Sequence, residues 1–220
     1  MTPRDVLRVQ VEGPVTSFRY PHFVQGTQPT YDFPPPATLY GHVCSALGDQ
    51  VPPDAFRVAL HFTHAGRFRD YEHTHLVGGE KVKLSPFERE LLFQPRLTLY
   101  IDRPDWRDAF LRPRHVVTLG RSQDLMTYRD VRVIRLETAD ASHVTHALIP
   151  LAQGAALTRY TALHLPRWIS PERVAHWGDY AAVTRPQRWD QPAWIDPAAP
   201  DWRGLPRAVI WLGFTGDDRP

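Results

Sequence analysis

Two short stretches carry the residue types that hold a phosphate and stack on a base. The first is Ser17-Phe18-Arg19, with Tyr31 a little further on. The second is Gly120-Arg121-Ser122. Arginine offers a planar, permanently charged fork that matches phosphate oxygens. A neighbouring serine adds a hydroxyl, and a glycine lets a phosphate come close to backbone N–H groups. Phe18 and Tyr31 offer aromatic faces on which bases stack, worth about 1–3 kcal/mol each. Each feature has a plainer use as well. Arg19 and Arg121 could be solvated surface arginines, and Phe18 could close a core over the first helix. Tyr31 lies between Thr30 and Asp32, polar company that points to exposure. Lys81, Lys83 and Arg89 would give a hairpin a positive edge along a nucleic acid, or protect an exposed sheet edge from pairing.

Eleven histidines invite a metal reading. His61 with His64, and His73 with His75, have spacings that two strands could bring together. Structural zinc takes four committed ligands, and no cysteine is near these pairs. Asp70 and Glu72 beside them read as ordinary strand residues.

A helix just downstream must position the first stretch. Pro34-Pro35-Pro36 is rigid, and proline suits a first helical position because it has no N–H to leave unpaired. Leu39, Val43, Ala46 and Leu47 recur at helical spacing, and Gly48 suits the left-handed residue that stops a helix. A helix is therefore expected over 37–47. Before it, Val6 to Glu12 alternates as a half-buried strand with Leu7, Val9 and Val11 inward. After it, Val58, Leu60 and Phe62 alternate, then Leu97, Leu99 and Ile101 at the end of a strand bent near Pro95. Asp105 to Leu111 reads as a short helix and Thr127 to Leu136 as a strand after the glycine turn. The order strand, helix, strand pair, helix, strand fits several α+β arrangements, among them a ferredoxin-like antiparallel sheet with two helices.

The last third is less regular. Arg159 to Leu165 alternates as a strand, Ser170-Pro171 has the form of a helix start, and Arg207 to Phe214 reads as a final strand. Trp189, Trp194 and Trp202 sit among prolines, which suits an irregular strap packed by its indoles better than a stacking platform.

The bulk properties narrow the function. A chain of 220 residues makes one large domain or a domain with an appendage. No apolar run approaches a membrane span, no signal-peptide block opens the chain, and the single Cys44 fits a reducing cytoplasm. The net charge of +2 is not that of a free-standing nucleic-acid binder. Its distribution is more telling. Lys81 and Lys83 are the two lysines among 26 basic residues, the rest being arginine. Six arginines (112, 114, 121, 129, 132, 135) surround the Gly-Arg-Ser turn, against Asp124 and Asp130.

In order, Gly-x3-Ser-Phe-Arg, Thr30-Tyr31, Pro-Pro-Pro-Ala-Thr-Leu-Tyr-Gly and Leu-Gly resemble CRISPR-associated protein family five. Val117-Thr118-Leu119-Gly120-Arg121-Ser122 before a strand agrees with it. The resemblance covers the first two-thirds of the chain and looks most like the subtype I-B branch. It implies a ferredoxin-like, RNA-recognition-like α+β domain over 1–138 with a β-hairpin thumb near 76–92. The residues from 139 to 220 would form a small β-rich extension packed on the sheet. It also implies a non-catalytic, cytoplasmic subunit of a type I surveillance complex that needs no cofactor. That subunit grips the 5′ handle of the crRNA through Ser17, Phe18, Arg19, Tyr31, Lys81, Lys83, Arg89, Gly120, Arg121 and Ser122. Its partners would be the backbone and large subunits, with target DNA met only through the complex. One branch, in subtype I-C, instead cuts the guide precursor with a tyrosine, a lysine and an adjacent histidine. Such metal-independent cleavage needs a base, an acid and a cation on the phosphate. Tyr31, Lys81 or Lys83, and His73 or His75 are the nearest types here, but Lys81 precedes Val82 and Lys83 precedes Leu84, so no Lys-His pair exists.

Overall fold

The computed structural model describes residues 1–23, 26–78, 81–154 and 157–216, with the backbone alone at 74, 76–78 and 81–85. The alternating segments fold into the middle of one sheet: β1 (Arg4–Glu12), β3 (Val58–Thr63), β6 (Arg96–Ile101) and β7 (Thr127–Ala139). Their order is β7-β1-β6-β3, all antiparallel. The period-2 pattern makes three apolar rungs across neighbouring strands. These are Leu7–Ile101–Val58, Val9–Leu99–Leu60 and Val11–Leu97–Phe62, all buried. Each such side chain contributes roughly 1.5–3 kcal/mol of burial.

Helix α1 (Pro36–Leu47) connects β1 to β3 and packs Leu39, Tyr40, Val43 and Ala46 on those rungs. It begins one residue earlier than the apolar pattern suggests, because Pro36 takes the first helical position. Gly48 closes it at φ 79°, its N–H donating to the Cys44 carbonyl at 2.8 Å. A 3-10 turn (Pro104–Trp106) and α2 (Arg107–Leu111) connect β6 to β7 and bury Phe110.

Among the described residues the fold is mostly β with two short helices, more β-rich than the α+β expectation. The residues after Ala139 explain the difference. They supply β8 (Ser142–Val144), β9 (Ala147–Pro150), β10 (Thr161–Ile169), β11 (Ala175–Val183), β12 (Gln187–Trp189), β13 (Ala193–Ile195) and β14 (Ala208–Val209). β13 and β14 extend the main sheet to six strands, β14-β13-β7-β1-β6-β3. A second sheet, β10-β11-β9, covers α1 with Leu148, Leu165, Tyr180 and Ala182. Ser170-Pro171 does not start a helix. It forms the turn between β10 and β11, where the Val174 N–H donates to Ser170 Oγ at 3.3 Å. Trp189 is buried in the core as a strap residue, and Trp194 donates its indole N–H to the Thr2 carbonyl.

The hairpin expected near 76–92 is longer. β4 (Gly66–Gly78) pairs with β5 (Lys81–Phe93) along its whole length, and β2 (Val15–Thr16) joins β5 at the base. Its outer strand shows little alternation because none of its described side chains is buried in a core. Arg67 and Arg69 pair across strands with Glu90 and Glu88, while Phe68 and Tyr71 stay exposed. Main-chain pairing and charge pairs leave no apolar period to read.

Candidate nucleic-acid interface

The hairpin base, the loop after β2 and the N-terminus of α1 meet at one place. The loop folds back through an Arg19–Thr30 bridge, and Gln28 pairs alongside Arg89 of β5. Gln28 donates to the Glu88 carbonyl at 2.7 Å and accepts from the Glu90 N–H at 3.0 Å. The loop is thus strapped to the hairpin by main-chain bonds.

The turn carrying Gly120 closes through Thr118–Leu125 pairing and lies directly against Ser17. Gly120 has φ 94°, and a Cβ there would sit 2.6 Å from both the Ser17 carbonyl oxygen and Thr16 Oγ1. Thr16 Oγ1 donates to the Leu119 carbonyl. Asp124, wholly buried, is the clamp between the two motifs. Its Oδ2 accepts from the Ser17 N–H at 3.1 Å and from the Arg121 N–H at 3.0 Å. His42 of α1 fixes the same turn from the other side. Its Nδ1–H donates to the Thr118 carbonyl at 2.8 Å, and its Nε2 accepts from the Tyr128 hydroxyl at 3.1 Å. Burial pulls the His42 pKa below its ordinary value, so the ring is neutral and this tautomer is the one that satisfies both partners.

The result is a cavity of about 260 Å3 lined by Ser17, Phe18, Arg19, Thr38, Arg89, Gly120 and Arg121. Six residues picked from the sequence therefore line one cavity. Ser17 Oγ is buried there without a hydrogen-bond partner among the described residues. Thr38 is in the first turn of α1, which carries no acidic residue, so the positive end of the helix dipole faces the cavity, with the Thr38 N–H itself donated to the Pro35 carbonyl at 2.8 Å. Three arginines face two carboxylates, Asp124 and Glu72, which leaves a net positive cavity.

The arginines differ. Arg19 is exposed and has no ion pair among the described residues. Arg121 is engaged: its Nη2 lies 2.7 Å from Asp124 Oδ1, and its Nη1 bonds Glu72 of β4. It ties the turn to the hairpin while lining the cavity. Arg89, expected at an exposed thumb edge, is instead buried at the hairpin base and rests on Phe87. Glu72 Oε2 is 2.9 Å from its Nε but out of line for a hydrogen bond, so donor capacity remains. Burial draws the Arg89 guanidinium below its usual pKa range, outweighing the opposite pull of Asp124.

Tyr31, expected to be exposed, faces inward. It is buried, stacked on Tyr20 with ring centroids 3.7 Å apart, and burial pushes its phenol up to about 12. Its polar neighbours find partners inside the protein. Thr30 Oγ1 accepts from the Phe18 N–H and donates to the Tyr31 carbonyl, while Asp32 pairs with Arg67. Phe18 packs edge-on against Phe62 in the core, with one side on the cavity. Ser122 is exposed outside the cavity. The backbone of Lys81 and Lys83 runs in β5, and their side chains lie outside the described residues.

The histidine pairs do not assemble into a metal site. His61 faces His146, His64 bonds the Gly66 carbonyl, and His73 and His75 are exposed on β4. Among the described residues no group of three or more His, Cys, Asp or Glu is placed to hold a metal ion. Sequence reasoning missed Asp124, Glu72, Thr16, Thr38 and His42. Asp124 alone had a signal, three residues beyond Arg121 in a tight turn.

On the other face of the sheet a larger cleft, about 460 Å3, is lined by residues including Gln10, His61, Thr98 and Arg207. Arg8 there is already paired with Asp196 at 3.0 Å and Asp130 at 3.2 Å. Among the described residues no helix is long and apolar enough to cross a membrane.

The solved structures that share this fold include two CRISPR proteins. A chain of a CRISPR RNA-guided surveillance complex is 16% identical at TM-score 0.60, covering 83% of this chain and 90% of that one. A CRISPR protein from Archaeoglobus fulgidus is 11% identical at TM-score 0.53, covering 88% of this chain and 96% of that one. Comparison with curated proteins gives no match. A family model of the Cas5d type, described as CRISPR-associated protein (Cas_Cas5), matches residues 6–204. The chain belongs to this CRISPR-associated Cas5 family.

Proposed function

We propose that the protein is a non-catalytic RNA-binding subunit of a type I CRISPR surveillance complex, holding the 5′ handle of the crRNA. The carrying observation is the cavity itself. Among the described residues, it sets an unpartnered buried hydroxyl, an arginine without an ion pair, a second arginine with spare donors and a helix N-terminus around a volume that suits a phosphate. The near-neutral chain fits a subunit that shares its phosphate load with partners. The strand order β7-β1-β6-β3, with a helix in each crossover, supports a ferredoxin-like reading of the central unit. The long hairpin β4–β5 fits the thumb of such a subunit, whose partners would be the neighbouring backbone subunit and the large subunit.

Burial of Tyr31 with a raised pKa supports the non-catalytic reading, since a phenol packed on Tyr20 is poorly placed to take a proton from RNA. The matched model is of the Cas5d type and not specific to the subtype I-B branch.

The test incubates the purified chain with end-labelled repeat RNA and chelator, on native and denaturing gels in parallel. Intact RNA that shifts, with the shift weakened by Arg19→Ala, is the expected result. A cut at one position would make the protein a processing nuclease. An unchanged shift in Arg19→Ala would remove the cavity from the binding site.

A further inference from the structure

A second cavity, about 320 Å3, opens from the first and shares Phe18, Arg19, Thr38 and Gly120 with it. Its remaining wall is apolar and comes largely from the last third of the chain. Pro166 and Ile169 of β10 and Trp177 of β11 face Pro21 and Pro35 across it. We propose that this cavity is a slot for one unpaired nucleobase of the RNA whose phosphate occupies the neighbouring cavity, with Trp177 as the stacking platform. The inference rests on the RNA-binding reading above.

Trp177 is 37% exposed and Ile169 is 41% exposed, high for large apolar side chains that close on no core. Pro166 and Trp177 stand opposite each other in the ladder, and the register shifts between Pro166 and Trp168. A bulge at such a point re-aims the side chains beside it. His164 lies parallel to the indole, with ring centroids 5.0 Å apart and planes 6° apart. His164, itself 2.7 Å from Asp179 Oδ1, backs one face of the ring, and a backed ring costs less to order on stacking. The occupant follows from continuity and charge. An apolar aromatic slot joined to a positive cavity through Arg19 matches a nucleotide, anionic at one end and flat at the other. A protein side chain would satisfy the slot but leave the adjoining cavity's charge unanswered.

The experiment measures affinity of the full chain, and of the assembled complex, for repeat RNA carrying single abasic substitutions. Wild type, Trp177→Ala, Trp177→Phe and Arg19→Ala are compared. Trp177→Ala is expected to weaken binding about 5- to 150-fold, the range of base–aromatic stacking. Trp177→Phe should recover most of it. One abasic position should cost a similar factor in wild type and little more in Trp177→Ala, because both remove the same stack. If Trp177→Ala binds like wild type while Arg19→Ala is weakened, the slot is wrong and the phosphate reading stands. If loss in Trp177→Ala adds fully to every abasic loss, the indole supports the fold and not a base, and the slot is again wrong. If neither variant changes affinity, or wild type binds no RNA in either form, both proposals fall.

Discussion

Asp124→Ala should loosen the site more than any arginine substitution within it. The carboxylate is wholly buried and accepts the Ser17 and Arg121 N–H groups and two guanidinium nitrogens of Arg121. Hydrogen bonds to a charged partner contribute roughly 1.5–3 kcal/mol each, and breaking a buried pair costs about 3–5 kcal/mol. Arg121 keeps Glu72 and is partly exposed, so its guanidinium is not stranded. That places the loss near the low end, about 3 kcal/mol. For a chain of this size each kcal/mol moves Tm by about 2–4 °C, so a fall of roughly 6–12 °C is expected. Asp124→Asn keeps an acceptor for the main-chain N–H groups and should lose about half as much. Urea unfolding with a common m-value measures both, and RNA affinity should fall with Asp124→Ala although the residue faces no ligand. A variant within about 0.5 kcal/mol of wild type, the scale of a neutral surface change, with normal RNA binding, would refute the idea that this carboxylate joins the two motifs.

Other outcomes rest on the same geometry. Gly120→Ala combines a left-handed φ, costing about 1–2 kcal/mol, with a Cβ 2.6 Å from the Ser17 carbonyl, so the loops must part and RNA affinity should drop; an unchanged gel shift would contradict the close approach. Leu99→Ala, in the middle rung of the sheet, should cost about 2–5 kcal/mol in urea unfolding without altering m. His61 is held neutral by burial and by Arg207, His146 and His143, with a pKa lowered to about 3. The unfolded chain takes up this proton near pH 6.5, so the stability is full above that value and falls by roughly 1.4 kcal/mol per pH unit toward pH 3. His42 and His146 shift in the same direction. His61→Gln should flatten the pH dependence of urea stability between about pH 6.5 and 4; an identical slope would place the proton uptake elsewhere.

The rungs of the sheet were legible because a strand with one buried face must alternate, and Leu7, Val9, Val11, Leu97, Leu99 and Ile101 do so without interruption. Helix α1 was legible because prolines and Gly48 bracket it. The hairpin's outer strand was not, since Arg67, Arg69 and Tyr71 serve cross-strand pairing and solvent and leave no apolar period. The site was half legible. Ser17, Arg19, Gly120 and Arg121 have side chains or backbones suited to phosphate. Their convergence depends on Asp124 and His42, whose role arises from contacts far apart in the chain. Tyr31 misled because polar neighbours usually mean solvent, whereas Thr30 and Asp32 are satisfied by Phe18, Arg67 and the Tyr31 carbonyl itself. Trp177 carried no signal, since a tryptophan in a strand reads as core until its exposure is known.

The central claim is that RNA lies on the side of α1 and the Gly120 turn, and not on the far face of the sheet. The most direct measurement cross-links the full chain to repeat RNA carrying photoreactive uridine across the handle and identifies the modified peptides. Adducts on peptides carrying Phe18, Arg19, Arg121 and Trp177 are the predicted result. Adducts confined to Gln10, His61, Thr98 and Arg207, which line the opposite cleft, would contradict it.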